Sequence, residues 1–540
     1  MTQRAAPPPT DARLATTLAH GLDLLEAFSQ GPAWIGNKTL AQRTSLSKAT
    51  ISRLTTTLAT RGLIDNDVAQ GGHRLGSTAL TLGYPLLSQL GLRRVARLPM
   101  KQLADELRAT VSLGMRERTR MVYVETLRSN DPATFQPDPG AALPMLQTAM
   151  GRAWLGAADA PQRRDVLALL READPRHHRQ WSGSLRDAQV HLAAHGFCLS
   201  AGDWLPDVHA VAVPLRLRFH GEQLVLNCGM PARRLRPGQL QSEIGPRLMQ
   251  LAERIENDWA RERQPGQESS APAAWSRRAR EPREDDPRDR SFARTLARGV
   301  DLLLCFEPTD ESLGNREIAR RLGLSPTTVV RLTHTLCERG YLRQDPDTAR
   351  YRLGAATLSL GYPILSGLRI RRIARPAMLA LAERMKGAVS LGLRHQTGMT
   401  YVETAWRTDE RLLPPDTGAP MPMLMTAMGR AWLGRAEANE RHELLNRIRV
   451  QDPQGYQRFH RAALDAASQC RRQGWCSSAD FRAEIVAVAV PFERPVDGVR
   501  YVMNCGVLAR GGALGEQRLG EIGAALRDTV RAIEAAAAMD

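Results

Sequence analysis

The stretch SKATISRLTTTLATRGLI, Ser47–Ile64, returns as SPTTVVRLTHTLCERGYL at Ser325–Leu342. The two lie 278 positions apart (325 less 47) and share RLTxTLxxRG, a string too long for a chance repeat. Such a repeat decides the fold, because it turns one long chain into two copies of a smaller unit. The same spacing carries LAHGLDLLEAF (Leu18–Phe28) onto LARGVDLLLCF (Leu296–Phe306), and HRLGSTALTLGYPLLS (His73–Ser88) onto YRLGAATLSLGYPILS (Tyr351–Ser366). VSLG and YVET recur at Val111 and Tyr123, then at Val389 and Tyr401, and PMLQTAMGRAWLG (Pro144–Gly156) returns as PMLMTAMGRAWLG (Pro422–Gly434). One residue is then lost, so VAVP at Val211–Pro214 matches Val488–Pro491, and NCG at Asn227–Gly229 matches Asn504–Gly506.

A chain of 540 residues exceeds what one hydrophobic core supports, and 43% hydrophobic with 24% charged residues is ordinary for globular protein. The net charge is +17, which fits a polyanionic partner or a well-solvated surface. Only Lys38, Lys48, Lys101 and Lys386 are lysines; the other basic residues are arginines. Arginine suits forked contacts to phosphate and guanine, although a GC-rich coding bias produces the same excess. No apolar run is long enough to span a bilayer, and MTQRAAPPPTDAR at the start lacks a signal-type apolar segment. Seven cysteines without CxxC spacing argue against a disulfide framework or structural zinc. A cytoplasmic protein with no membrane partner is expected.

Leu18, Leu22, Leu25 and Phe28 stand at helical spacing, so Leu14–Gln30 predicts an amphipathic helix. A short polar helix over Lys38–Arg43 and the turn TSLS follow. Ser47 then occupies an N-cap position ahead of a helix ending at Gly62, and Pro326 sits at the first helical position of the second copy. Ile51, Leu54 and Leu58 form its inward stripe, leaving Lys48, Ala49, Thr50, Ser52 and Arg53 for a major groove. In the second copy these become Pro326, Thr327, Thr328, Val330 and Arg331. GLIDNDVAQGGHRLG reads as two short strands around a Gly-rich turn, a wing able to lay Arg74 on phosphates. Its counterpart, GYLRQDPDTARYRLG, offers Arg343, Arg350 and Arg352.

Together, LAxRxxLSKxTxxRLxxTLxxRGLI, xRLGxxxLxLGYxxLS, GRAWLG and GFC…VAVP resemble the IclR family of bacterial transcriptional regulators. The resemblance covers Leu14–Glu256 and Phe292–Ala535. LGYxxLS and the Arg-rich helix after it are most similar to the branch that senses aromatic acids. The departure is the tandem arrangement, since the family's usual chain has one unit and pairs as a dimer.

The fold expected is α+β: twice over, an N-terminal winged helix-turn-helix and then a GAF-like effector-binding domain with a central antiparallel sheet. The expected divisions are a winged helix over 12–76, a connecting helix over 77–99 and an effector domain over 100–260. A flexible linker over 261–290 comes next, then the same parts at 291–354, 355–377 and 378–540. The effector domain reads as strands TVSLGMRE and RMVYVETL, a helix from Thr148, a strand pair over Val208–Leu215 and Gln223–Cys228, and a closing helix over Pro237–Ala260.

A helix N-terminus suits a carboxylate, so Thr148, Ala149, Met150 and Gly151 are pocket candidates, with Thr426, Ala427, Met428 and Gly429 in the second copy. Each methionine taken singly reads better as core filler, and Arg152 and Arg430 equally meet a carboxylate or face solvent. The resemblance adds Cys198, Asp203, Val208, Ala210, Leu226 and Cys228, and then Cys476, Asp480, Ile485, Ala487, Met503 and Cys505. Here the segment from the acidic residue to VAVP is shorter than the family pattern. The lining as a whole is apolar with few polar groups, which suits a flat aromatic or short-chain acid.

Recurring cysteines admit a redox reading, but no acid or base stands beside them at readable spacing. His209 is Val486 in the other copy, which removes a symmetric histidine site. No phosphate loop, metal-ligand cluster or nucleophile elbow occurs, so no catalysis, cofactor or metal is expected. The partners expected are double-stranded operator DNA and a small organic acid, with RNA polymerase allowed. The two units form an intramolecular pseudo-dimer, and further pairing of chains stays open. A constitutive DNA-binding repressor with assembly domains that sense nothing is the alternative.

Overall fold

The computed structural model describes residues 13–29, 34–67, 71–130, 137–262, 291–406, 415–509 and 514–539. Most of the expected linker, from residue 263, lies outside the described residues. The first copy opens with α1 (Thr16–Glu26), α2 (Asn37–Thr44), α3 (Lys48–Thr60), β1 (Ile64–Asp67) and β2 (Gly72–Leu75). Short helices α4 (Ser77–Thr81) and α5 (Tyr84–Gln89) lead to α6 (Leu92–Leu107). Then come β3 (Thr110–Glu117), β4 (Arg120–Arg128), β5 (Ala142–Pro144), α7 (Ala149–Ala157), α8 (Ala160–Ala173) and α9 (Pro175–His195). Strands β6 (Cys198–Ala201), β7 (Val208–Phe219) and β8 (Glu222–Pro231) and helix α10 (Gly245–Glu262) complete it. The closing helix starts later than its sequence suggests, because Leu240–Ile244 winds as a π-helical turn.

The second copy repeats the order: α11 (Arg294–Leu304), α12 (Asn315–Leu322), α13 (Pro326–Glu338), β9 (Leu342–Gln344), β10 (Tyr351–Leu353) and α14 (Ala356–Gly367). Its second half holds α15 (Arg369–Met385), β11 (Ala388–His395), β12 (Gly398–Ala405), β13 (Pro420–Pro422) and α16 (Ala427–Arg435). It ends with α17 (Ala438–Gln451), α18 (Pro453–Gln473), β14 (Cys476–Arg482), β15 (Ile485–Pro491), β16 (Tyr501–Leu508) and α19 (Glu516–Met539).

The chain gathers into two compact units, and each takes its parts from both copies: 1–89 with 279–363, and 90–278 with 364–540. The first unit holds the two winged heads. In it α1 buries Leu18, Leu22 and Leu25, and Ser47 Oγ accepts the Thr50 N–H at 3.2 Å to cap α3. Each wing is an antiparallel strand pair.

Helices α1 and α11 cross where both carry glycine. A Cβ on Gly21 would strike Leu296, and one on Gly299 would strike Leu18. The Ala15 N–H donates to Thr335 Oγ1 and the Ala293 N–H donates to Thr57 Oγ1, both at 2.8 Å. Every one of these contacts has its reciprocal in the other copy, so the heads pair about a pseudo-twofold axis.

The second unit holds two six-stranded antiparallel sheets, ordered β5-β4-β3-β8-β7-β6 and β13-β12-β11-β16-β15-β14. In the first copy α6 and α10 pack on one sheet face, and α7 and α9 on the other. Between the copies run two ion networks. Arg93 reaches Glu125 and Asp416, each at 2.8 Å, and Arg97 joins both carboxylates. In return Arg371 donates twice to Asp138 at 2.7 Å and pairs with Glu403 at 2.9 Å, while Arg375 meets Glu403 at 2.8 Å. Charges this deep persist only when paired, as these are.

Candidate functional site

On α3 the inward stripe is Ile51, Leu54 and Leu58, all buried. Lys48, Ala49, Ser52 and Arg53 are exposed, while Thr50 is half-buried because its hydroxyl meets Ser47 Oγ at 2.9 Å. On α13, Thr327, Val330 and Arg331 are exposed and Thr328 engages Ser325 in the same way. Val330 is 51% exposed, unusual for a large aliphatic side chain. Arg331 also donates to the Leu14 carbonyl at 3.2 Å.

The wing arginines are oriented by their surroundings. Arg74 stacks over Trp34, 4.7 Å from the ring centre, and pairs with Asp65 at 3.3 Å. Arg350 donates to Ser312 Oγ at 2.8 Å, and Arg352 to Asp345 at 2.8 Å and the Glu311 carbonyl at 3.1 Å. Such tethers fix a guanidinium's direction while leaving donors for a phosphate.

In the first effector domain Thr148 caps α7, accepting the Gly151 N–H at 3.2 Å and donating to the Pro144 carbonyl at 2.7 Å. Gly151 has no room for a side chain, since a Cβ there would enter the Met145 backbone. Met150 lies on β3 at Gly114. Thr426, Gly429 and Met428 repeat this against Pro422, Met423 and Gly392.

Arg152 does not face solvent. It is buried, donating to the carbonyls of Leu146 and Leu199 and pairing with Asp203 at 2.7 Å. Arg430 does the same with Leu424 and Asp480. The acidic residues therefore already hold an arginine in both copies.

The sheet register sorts the remaining candidates. Cys198 donates to the Ala188 carbonyl on α9 and pairs across the ladder with Ala212, so Cys198, Ala212, Ala210 and Val208 share the α7 face. Cys476 reaches the Ala427 carbonyl, and Ala487 and Ile485 follow it. Leu226 and Cys228 alternate onto the opposite face, opposite Leu113 and Val111, as do Met503 and Cys505. This corrects the expectation for those four residues. Side chains alternate along a strand, so they cannot meet a ligand that touches α7 or α16. Burial pushes the thiols of Cys198, Cys228 and Cys505 up to about 12, which makes them poor nucleophiles.

What the α7 face does carry is a polar row: Thr126, Ser112 and Asn227 stand side by side on β4, β3 and β8. Ser112 Oγ and Thr126 Oγ1 are buried without a hydrogen-bond partner among the described residues. Thr404, Ser390 and Asn504 form the same row in the second copy, where Ser390 and Thr404 bond at 3.0 Å and Asn504 Oδ1 is left over. Buried polar atoms are rarely orphaned, so this row has hydrogen-bonding capacity that the described residues do not use. The signal was present in VSLG and NCG, which recur in both copies.

A model of the IclR helix-turn-helix domain matches residues 17–68 and 295–346, and one of the IclR C-terminal domain of bacterial transcriptional regulators matches 85–257 and 363–535. The chain belongs to the IclR family. It is a transcriptional regulator with DNA-binding helix-turn-helix domains and effector-binding C-terminal domains, each present twice.

Among IclR relatives, the HTH-type transcriptional regulator TsaQ1/TsaQ2 of Comamonas testosteroni is 30% identical over 254 residues, which is 47% of this chain and 91% of that protein. The Pca regulon regulatory protein of Pseudomonas putida is 27% identical, covering 38% of this chain and 70% of its own. The crystal structure of an IclR family regulator from Brucella abortus is 36% identical over 46% of this chain and 94% of that one, with a TM-score of 0.42. Among the described residues no helix is long and apolar enough to cross a membrane.

Proposed function

We propose that this IclR protein reads an operator of two unlike half-sites with its paired heads, and that its effector domains respond to a small organic acid. The observation that carries the DNA reading is the head pair itself. Reciprocal contacts tie each recognition helix to the first helix of the other head within one compact unit, and the exposed faces of the two recognition helices differ in sequence. Lys48, Ala49, Thr50, Ser52 and Arg53 would address one half-site, and Thr327, Thr328, Val330 and Arg331 the other. Arg74, Arg350 and Arg352 would approach the flanking phosphates. A single chain then supplies what IclR relatives obtain by dimerising, and the tether raises the effective concentration of each head for the other.

For the ligand, the lining supports a flat aromatic acid. Thr148 to Gly151, Cys198, Val208 and Ala210 give an apolar wall, with the orphan hydroxyls of Ser112 and Thr126 to receive a carboxylate. Met150 is flexible enough to be displaced from Gly114. One observation favours a constitutive repressor instead: Arg152 and Arg430 are already neutralised by Asp203 and Asp480.

Selection of binding sites from random duplexes, followed by mobility shift with and without aromatic acids, tests both. Two different half-sites and a shift that moves with one acid are expected, and Ser112→Ala should blunt the acid's effect. A perfectly symmetric operator would sink the first idea. Indifference to every acid would favour the constitutive repressor.

A further inference from the structure

In the second effector domain the ends of α16 and α18, the end of β15 and one side of α19 enclose a cleft of about 360 Å³. Arg435, Arg471, Arg472, Arg527 and Arg531 line it, against the carboxylates of Glu493 and Glu534. Three of the arginines are oriented by neutral acceptors: Arg435 by the Glu493 carbonyl at 3.2 Å, Arg472 by Ser468 Oγ at 3.2 Å, and Arg527 by the Gln473 carbonyl at 3.0 Å. Arg471 and Arg531 have no acidic partner among the described residues. Arg527 Nε is buried without a hydrogen-bond partner among them. Glu534 is occupied in accepting the N–H groups of Glu493 and Arg494, at 2.6 and 2.9 Å. The cleft therefore holds an excess of guanidinium charge that its own carboxylates do not neutralise.

The repeat supplies a control. Gly156 and Gly434, Cys198 and Cys476, and Gly245 and Gly523 fix the correspondence; the last pair sits against Phe197 and Trp475 in turn. At the five arginine positions the first copy has Ala157, Ala193, Ala194, Met249 and Glu253. A coding bias toward arginine would act on both copies alike. This set has gathered in one copy and around one cleft.

The geometry points to a second ligand site, confined to the second effector domain, for a compact polyanion carrying two or more phosphate or carboxylate groups. Guanidinium forks bind either group through paired, charge-assisted hydrogen bonds, and several converging forks favour a ligand with more than one anionic group. The site is separate from the face of the sheet under α16, and its existence does not depend on which operator or acid the protein recognises. Cys470 forms part of the inner wall of the cleft and is itself buried.

The test is calorimetric titration of the full chain with inorganic pyrophosphate and, separately, citrate, at fixed ionic strength, with acetate as a control. Saturable binding of one equivalent is expected, weakened about tenfold or more in Arg471→Ala/Arg531→Ala, which loses two charged donors. A preference for pyrophosphate assigns phosphate, and one for citrate assigns carboxylate. Equal responses in wild type and variant, or responses that acetate reproduces, overturn the site. Should the double variant fold poorly, the single substitutions Arg471→Gln and Arg531→Gln, both at exposed positions, decide. Each should weaken binding of pyrophosphate or citrate by about threefold or more, and binding unchanged in both removes the proposal.

Discussion

Arg61 donates from Nε and Nη2 to the two carboxylate oxygens of Asp301, both at 2.9 Å, and Arg339 makes the same pair with Asp23 in the opposite direction. Each head thus lends one cation and one anion to its neighbour. The two pairs are not equally deep: the Arg61 side chain is 2% exposed and that of Arg339 30%. Removing the deeper carboxylate leaves a guanidinium that water cannot reach. Asp301→Asn should destabilise the heads by about 3 kcal/mol, whereas Asp23→Asn should cost roughly 1 kcal/mol or less. Urea unfolding followed by circular dichroism checks the ranking. If the two substitutions cost the same, burial is not what sets the strength of the pair.

The networks between the effector domains make stability depend on acid. Burial alone would raise the Asp138 carboxyl, but Arg371, with Arg128 and Arg375 beyond it, holds it at about 2 against an ordinary 3.8. Glu403 and Asp416 are lowered by arginines in the same manner. A carboxyl with a depressed value stabilises the fold above its unfolded value and loses that contribution as pH falls through the folded one. The effector unit should therefore keep its melting temperature above about pH 5 and lose it steeply between about pH 4 and 2. Asp138→Asn should remove on the order of 2 kcal/mol at pH 7 and flatten that slope. A melting temperature in the wild type that does not change across this range would show that the ion networks do not hold the unit together.

These two relationships show what was and was not legible in the chain. Periodicity, the Ser47 cap and the Pro326 start gave the recognition helices nearly to the residue, because helix ends are set by local chemistry. The strands of TVSLGMRE and RMVYVETL are legible from their apolar and β-branched runs. Sheet faces were not. Whether Cys228 or Asn227 looks toward α7 depends on ladder register, which only long-range pairing sets, and that register puts Leu226, Cys228, Met503 and Cys505 on the face away from α7 and α16. The ion networks leave little trace in the sequence because Arg93 and Asp416 lie far apart along it. Their one visible trace was the repetition of RRxxR and YVET.

Between α2 and α3 the chain turns through Ser45 at φ 57, where the second copy has Gly323 at φ 62. A side chain in the left-handed region costs about 1 kcal/mol, and glycine avoids that cost. Ser45→Gly should stabilise the first head by up to about 1 kcal/mol, less the extra entropy of an unfolded glycine. Asn is the closer test of the same idea, since it tolerates this backbone with a side chain present. Thermal unfolding of both variants measures it, and destabilisation by glycine would mean that Ser45 contributes a contact worth more than its strain.

Val330 makes the sharpest prediction about the DNA. It stands 51% exposed on α13, next to Arg331, at the position where α3 carries the hydroxyl of Ser52. An aliphatic side chain in a major groove finds one apolar feature to bury, the C5-methyl of thymine. One half-site should therefore show a thymine preference that the other lacks. Replacing that thymine by deoxyuracil removes the methyl alone, and it should weaken binding by about threefold to tenfold at one half-site, within the range of a single base contact. In Val330→Ser the same replacement should have no effect, and Ser52→Val should create a new methyl dependence in the other half. Fluorescence anisotropy with the selected operator and its uracil variants measures all three. If uracil is tolerated everywhere while the operator is still bound specifically, Val330 faces the groove without reading it, and the difference between the half-sites must come from Thr327 and Lys48.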